Sequence, residues 1–203
     1  QSKFAHALQA ISNPMANLDD PFLPFEYNAF AVTHHITGKQ MEYRHLIRDP
    51  HYKKDWDQSC ANEMGRLAQG LGDKIKGTNT LVFIAKSKVP PGRTVTYARI
   101  VCTVRPEKEE TNRTRITCGG NLILDYPGDV STETASLETF KIHINSVIST
   151  PGAKYMTMDI SNMYLNTPLD RYEYMRMKLS DIPQQIIDQY NLNDLVAADG
   201  YVY

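Results

Sequence analysis

Residues 95–120 read VTYARIVCTVRPEKEETNRTRITCGG, and this stretch decides the predicted fold. From Val95 to Arg105, successive side chains point to opposite faces, as they do in a β-strand. The polar residues 106–112 predict a turn, and residues 113–118 predict a returning strand that ends at two glycines. The stretch therefore predicts an antiparallel hairpin. All four of its arginines occupy odd-numbered positions and are expected on one face: Arg99, Arg105, Arg113 and Arg115.

Helical and extended segments surround this hairpin. Apolar residues at helical spacing predict helices over 55–69, 136–150 and 183–190, the last with Asp181 as its N-cap. Short apolar or alternating runs predict strands over 80–85, 154–160 and 174–177. Because these elements do not alternate as regular βαβ units, the predicted class is α+β, with mixed helices and an antiparallel hairpin.

Composition excludes several classes of protein. The 203 residues are 41% hydrophobic and 22% charged, as in an ordinary globular chain. No apolar run reaches the roughly 18 residues of a membrane helix, so no membrane contact is expected. The three scattered cysteines predict free thiols in an intracellular protein. Residues 1–48 lack a periodic pattern and are interrupted by prolines, so they predict a loosely packed lead-in.

Asp159 is the strongest candidate for chemistry. It lies near the end of the predicted strand 154–160, where a carboxylate beside methionines is costly unless it is paired or binds a metal. Strand alternation predicts that Met156, Met158 and Ile160 pack on helix 136–150 and that Asp159 faces the opposite side, partly exposed. The alternative at this stage is an aspartate that caps the following turn. The pair His34–His35 has no Cys or Glu at metal-ligand spacing, which indicates a loop.

Four segments of the chain, in order, resemble one family. Residues 159–170 (DISNMYLNTPLD) resemble motif A of the copia-type retrotransposon reverse transcriptases. The matching positions are Asp159, Ile160, Tyr164, Leu165, Asn166 and Leu169. Upstream, Trp56 with Glu63 and Leu67 resembles the family's opening helix, and residues 112–120 resemble its basic fingers strand. Downstream, residues 173–175 match the acid-Tyr-Met that follows motif A. The resemblance covers residues 50–203.

The resemblance implies a partial right-hand polymerase, with a fingers-like region over 49–135 and an incomplete palm over 136–203. It implies nucleotidyl transfer by two Mg²⁺ ions roughly 3.5–4 Å apart, acting on a deoxynucleoside triphosphate and an RNA or DNA template-primer. Asp159 would supply a metal ligand through its carboxylate, and Ile160 through its backbone carbonyl. Tyr164 would lie beneath the sugar. The triphosphate clamp would comprise Arg105, Arg113 and Arg115.

No Asp-Asp pair follows Asp159, although the family carries one in a later motif. The chain is therefore expected to be inactive alone, with weak or absent Mg²⁺ binding, and to act with the remainder of a polyprotein. The expected location is a cytoplasmic virus-like particle or the nucleus.

Two alternatives to a polymerase fragment stay open. One is a domesticated, non-catalytic module that binds nucleic acid or protein. The other is a magnesium-dependent nuclease in which further acidic residues converge on Asp159. The nearest candidates in the sequence are Asp125, Asp129 and Glu133.

Overall fold

The computed structural model describes residues 32–128 and 134–203. Within these ranges the helices are α1 (Tyr43–Leu46), α2 (Pro50–Leu67), α3 (Leu137–Ser149) and α4 (Gln184–Gln189). The strands are β1 (Gly70–Leu71), β2 (Ile75–Lys76), β3 (Val95–Val104), β4 (Asn112–Cys118), β5 (Tyr174–Lys178) and β6 (Tyr201–Val202). This mixture of helices and sheets confirms the predicted α+β class. No helix of the described residues is long and apolar enough to cross a membrane.

The chain divides into two compact units. The described part of the first unit comprises residues 32–60 and 100–117, and that of the second comprises 61–99, 118–128 and 134–203. Most of the predicted lead-in 1–48 lies outside the described residues. Within its described part, Val32, Tyr43 and Leu46 are buried and belong to the core.

Helix α2 confirms the predicted helix 55–69 but begins earlier, at Pro50. A carboxylate oxygen of Asp49 accepts the N–H of His51 at 2.9 Å, and proline suits the first position of a helix because it has no N–H to satisfy. The predicted apolar stripe of α2 is buried: Trp56, Cys60, Met64, Leu67 and Ala68.

The antiparallel hairpin β1–β2 follows α2 directly. Gly70 has φ +115°, and a Cβ atom at this position would lie 2.6 Å from the carbonyl oxygen of Ile75, so only glycine fits there. The Gly70 carbonyl accepts hydrogen bonds from the Tyr190 hydroxyl and from the Gln189 side chain, which lie at the end of α4. Pro183 occupies the N-cap position of α4, so the prediction of Asp181 as the cap was wrong.

The main sheet has the strand order β4-β3-β5-β6. Strands β3 and β5 run parallel, with Val95 opposite Tyr174, although these residues are far apart in the sequence. Strands β5 and β6 run antiparallel, with Met177 opposite Val202. The prediction of a strand at 174–177 is confirmed.

The predicted hairpin β3–β4 is confirmed. The N–H of Arg105 donates to Thr111 at 2.7 Å, and the N–H of Gly119 donates to Tyr97 at 2.9 Å, so the strands run antiparallel. In this register the odd-numbered residues of both strands share one face. The even-numbered face is the buried one and includes Thr96, Cys102 and Thr114. In the first unit, the hydroxyl of Ser59 on α2 bonds both the Asn112 carbonyl (2.9 Å) and Thr114 Oγ1 (2.8 Å) of β4.

Two predicted strands are not formed. Residues 80–85 make no ladder, although the N–H of Ile84 donates to the Tyr203 carbonyl at 2.8 Å. Their apolar side chains pack irregularly, with the rings of Phe83 and Tyr190 5.2 Å apart. Residues 154–160 also lie outside any described sheet. A strand requires a hydrogen-bonding neighbour, and no described segment pairs with residues 154–160.

Helix α3 confirms the predicted helix 136–150, and the side chain of Ser136 caps it by accepting the N–H of Thr139 at 3.1 Å. Its apolar stripe, however, is largely exposed, and no residue of α3 is buried. The prediction that Met156, Met158 and Ile160 pack on this helix was wrong, because all three are exposed. In the described residues Tyr155 approaches α3 instead, with its ring 5.7 Å from that of His143.

The burial of the cysteines predicts their reactivity. Cys60 and Cys102 are buried, and burial raises the pKa of the Cys102 thiol to about 12. Desolvation and Glu173 also raise the pKa of the Cys118 thiol, but Cys118 is exposed and therefore accessible to reagent. Because the thiolate is the reactive form, we expect iodoacetamide to label Cys118 first in the native chain at mildly alkaline pH, and all three thiols in denaturant. Peptide mass spectrometry would measure the order. Rapid labelling of Cys60 or Cys102 in the native chain would contradict the described core.

Candidate functional site

Asp159 lies in an extended, fully exposed segment between α3 and a 3₁₀ turn at Tyr164–Asn166. Its carboxylate forms no hydrogen bond or ion pair with another described residue. The exposure of Asp159 agrees with the expectation from the sequence. The large apolar residues beside it are also exposed, with Met156 at 73% and Met158 at 71%. The segment therefore presents both a carboxylate and an apolar surface to solvent.

The loop after Asp159 is shaped by its own hydrogen bonds. Asn162 adopts a left-handed conformation with φ +56°, which asparagine tolerates better than most residues. Its carbonyl accepts from the side-chain amide of Asn166 at 3.0 Å, and the Met163 carbonyl accepts from the Thr167 hydroxyl at 3.0 Å. Tyr164, the predicted residue beneath the sugar, is 81% exposed. These hydrogen bonds order the loop and leave the Tyr164 side chain exposed to solvent.

The described residues do not by themselves fit a two-ion magnesium centre. Among residues 32–128 and 134–203, no group of three or more His, Cys, Asp or Glu side chains converges as a metal site. Asp159 offers one carboxylate, and Ile160 offers a backbone carbonyl. A single carboxylate leaves most of the coordination shell of Mg²⁺ to water or substrate phosphates, so such a site binds weakly.

Two arginines of the hairpin, Arg105 and Arg113, lie beside Glu110, which was not among the predicted site residues. One Glu110 carboxylate oxygen lies 3.2 Å from Arg113 Nη1 and 3.5 Å from Arg105 Nη2. Arg105 also donates to the Glu110 carbonyl at 3.0 Å. Arg115 is exposed. A carboxylate that bridges two guanidinium groups occupies the kind of position that a phosphate oxygen would take. The signal available in the sequence was the acidic turn directly before Arg113.

A second charged network was also missed. Glu173, with a side chain only 11% exposed, accepts from Arg171 Nε at 2.7 Å and pairs with Arg93 Nη2 at 3.0 Å. Arg171 also pairs with Asp125 at 3.0 Å, and this hydrogen bond lowers the pKa of Asp125. The guanidinium of Arg93 lies over the ring of Tyr174 at 5.6 Å. In the sequence, Glu173 is only the acidic residue of the acid-Tyr-Met match, which predicts no role for its carboxylate.

The nuclease alternative requires acidic residues near Asp159. Asp125 is engaged by Arg171 and forms part of the Glu173 network. Asp129 and Glu133 lie outside the described residues. Among the described residues, no group of three or more His, Cys, Asp or Glu side chains that could hold a metal includes Asp159.

Comparisons with known proteins give no family for this chain. No family model matches it, and neither curated proteins nor solved structures provide a match.

The Glu173 network generates a stability prediction. Glu173→Gln leaves two guanidinium groups without their shared carboxylate, so we expect the free energy of unfolding to fall by about 2 kcal/mol. A fully buried pair would lose more, but both arginines are partly exposed. Asp125→Asn is the matched control, because it removes the solvent-exposed partner of the same arginine and should change stability little. Urea denaturation measures both variants. Equal losses in the two would contradict a central role for Glu173.

Proposed function

We propose that this chain is part of a retroelement reverse transcriptase, carrying the fingers and the beginning of a palm whose first metal ligand is Asp159. Four sequence segments in the family's order support the proposal. The paired hairpin with its arginines on one face is compatible with the fingers of such an enzyme. The proposed enzyme would act inside the cell, in a cytoplasmic particle or the nucleus, on a template-primer and a deoxynucleoside triphosphate.

The four segments in the family's order carry the proposal, and the apolar surface exposed by α3 and by the segment around Asp159 is a second supporting observation. These large residues contribute to it: Leu137, Phe140, Ile142, Ile148, Met156, Met158, Ile160 and Met163. A monomeric protein rarely exposes so many large apolar side chains together, because burial of each contributes about 1.5–3 kcal/mol. In the proposed polymerase, further palm strands would cover this surface and bring the acidic pair to Asp159.

The proposed role of Asp159 is to supply one carboxylate ligand to Mg²⁺, together with the Ile160 carbonyl. Magnesium would neutralise charge on the triphosphate when the complete site is assembled. The resemblance would give the hairpin arginines a role in binding triphosphate oxygens. For this, Glu110 must give up its bonds to Arg105 and Arg113, since one carboxylate and one phosphate oxygen compete for the same donors.

A protein-binding module is the second candidate function, and the same apolar surface favours it. The two candidates differ in what the gene encodes after Tyr203. An in-frame Asp-Asp motif favours the polymerase, whereas a reading frame without one favours a non-catalytic module.

The activity prediction has two parts. The 203-residue chain should extend no primer with Mg²⁺, because the described residues hold no cluster of three or more metal-ligating side chains. A chain lengthened through a downstream Asp-Asp motif should extend a DNA primer on an RNA template. Asp159→Asn should abolish that extension, since the amide loses the negative charge that holds the metal. Gel analysis of labelled primers measures both parts.

Asp170→Asn is the matched control, because Asp170 is also an exposed acid, lies eleven residues after Asp159 and should be dispensable. Two results would overturn the proposal: an inactive lengthened chain that is folded, or extension that survives Asp159→Asn. Extension by the unlengthened chain that Asp159→Asn abolishes would show that a further ligand was missed.

A further inference from the structure

Four aromatic side chains of the first unit form one contiguous group, which we call the histidine platform: His34, His35, His51 and Tyr52. The rings of His34 and His35 are stacked, with centroids 5.0 Å apart and an interplanar angle of 9°. His35 also lies 4.5 Å from His51. Tyr52 meets His51 edge-on at 4.7 Å. The three imidazoles therefore form a short stack, with His35 in the middle and the exposed His51 at one end.

Hydrogen bonds hold the platform in place. The Tyr52 hydroxyl accepts the backbone N–H of His35 at 2.9 Å and lies 2.7 Å from Nδ1 of the same residue, to which it can donate. Nδ1 of His34 accepts the backbone N–H groups of Ile36 (3.1 Å) and Thr37 (3.3 Å). A stack fixed in this way loses little conformational entropy when another ring is added to it.

The charges around the platform are mixed. The carbonyl of Lys39 accepts the N–H of His34 at 2.8 Å, Arg48 directly precedes Asp49, and Lys54 follows His51 by three residues on α2. These three cations are exposed and form no ion pair in the described part of the chain. Asp49 lies 3.7 Å from Nε2 of His34 and also caps α2. This carboxylate disfavours a phosphate directly on the rings, whereas the unpaired cations can attract a polyanion nearby. The surroundings thus suit a neutral aromatic ligand attached to a charged backbone.

We propose that the histidine platform binds single-stranded nucleic acid by stacking an unpaired base on His51. This inference rests on the proposed function, because a reverse transcriptase must hold an unpaired template strand. Bases stack on histidine and tyrosine rings without regard to sequence, and nearby lysines and arginines follow the phosphates. His35 lies between the rings of His34 and His51, so the exposed His51 at the end of the stack is the ring to which a base can add.

The test uses the full chain and single-stranded oligonucleotides, one of DNA and one of RNA, each carrying a single 2-aminopurine. Stacking quenches 2-aminopurine fluorescence, so the titration reports both affinity and stacking. We expect His51→Ala to weaken binding about tenfold and to remove the quenching. His51→Tyr should retain both, because it keeps an aromatic face. His51→Lys should lose the quenching, because lysine carries a charge but no ring.

His143→Ala is the matched control, an exposed histidine of the second unit that should leave binding unchanged. Thermal melting of each variant establishes that it is folded. The proposal is overturned if wild-type chain does not quench the probe, or if folded His51→Ala binds and quenches like wild type. It is also overturned if His51→Lys quenches as well as His51→Tyr. Primer extension by the lengthened chain is a separate readout, so failure of the platform leaves the role of Asp159 to be judged by its own test.

Discussion

The pairing of β3 with β5 is the constraint on which the second unit depends. Val95 lies opposite Tyr174, so the long stretch of chain between them must fold back before any hydrogen bond between the two strands can form. Closing a loop of this length costs conformational entropy. The hydrogen bonds of three parallel residue pairs offset only a small part of that cost. Glu173 lies directly before β5, and its carboxylate bonds Arg93, which lies just before β3, and Arg171. Charge-assisted hydrogen bonds at the start of both strands therefore fix the register that the short ladder alone would specify weakly.

Helix α3 and the segment around Asp159, by contrast, have few packing partners among the described residues. An isolated helix of 13 residues is marginal in water, and most helical stability in proteins comes from packing of an apolar face. The Ser136 cap satisfies one N–H at the beginning of α3, but its apolar stripe is covered by little of the described chain. The local sequence thus encodes a helix whose stabilising contacts are not among the described residues. The proposed palm strands would supply them.

The sequence correctly predicted two kinds of element. One pairs with a segment nearby in the sequence, and the other carries an apolar pattern that continues over several helical turns. The hairpin 95–118 was predictable because its alternation, turn and glycines agree, and α2 because its stripe of Trp56, Cys60, Met64 and Leu67 spans several turns. The strand at 80–85 was predicted wrongly because a short apolar run does not establish that residues pair, and in the structure none of these residues is buried. The Glu110 and Glu173 networks could not be predicted, because a carboxylate's partners depend on register. For the candidate site, the sequence indicated Asp159 and its exposure but gave the wrong packing for its methionines.

The irregular backbone at 154–160 connects the fold to the proposed chemistry. A strand is formed by its hydrogen bonds to a neighbour, so alternation of Tyr155, Thr157 and Asp159 can orient these side chains only after a partner strand is present. In the proposed polymerase, the partner strands are also those that bring the acidic pair. Ordering of this segment and completion of the metal site would then be a single event. Burial of Met156 and Met158 would contribute favourably to the free energy of that event. Bringing the Asp159 carboxylate near its acidic partners is costly, and the metal would neutralise their charge. On this view the exposed methionines and the weak isolated carboxylate have one physical cause, the lack of a neighbouring strand in the described chain.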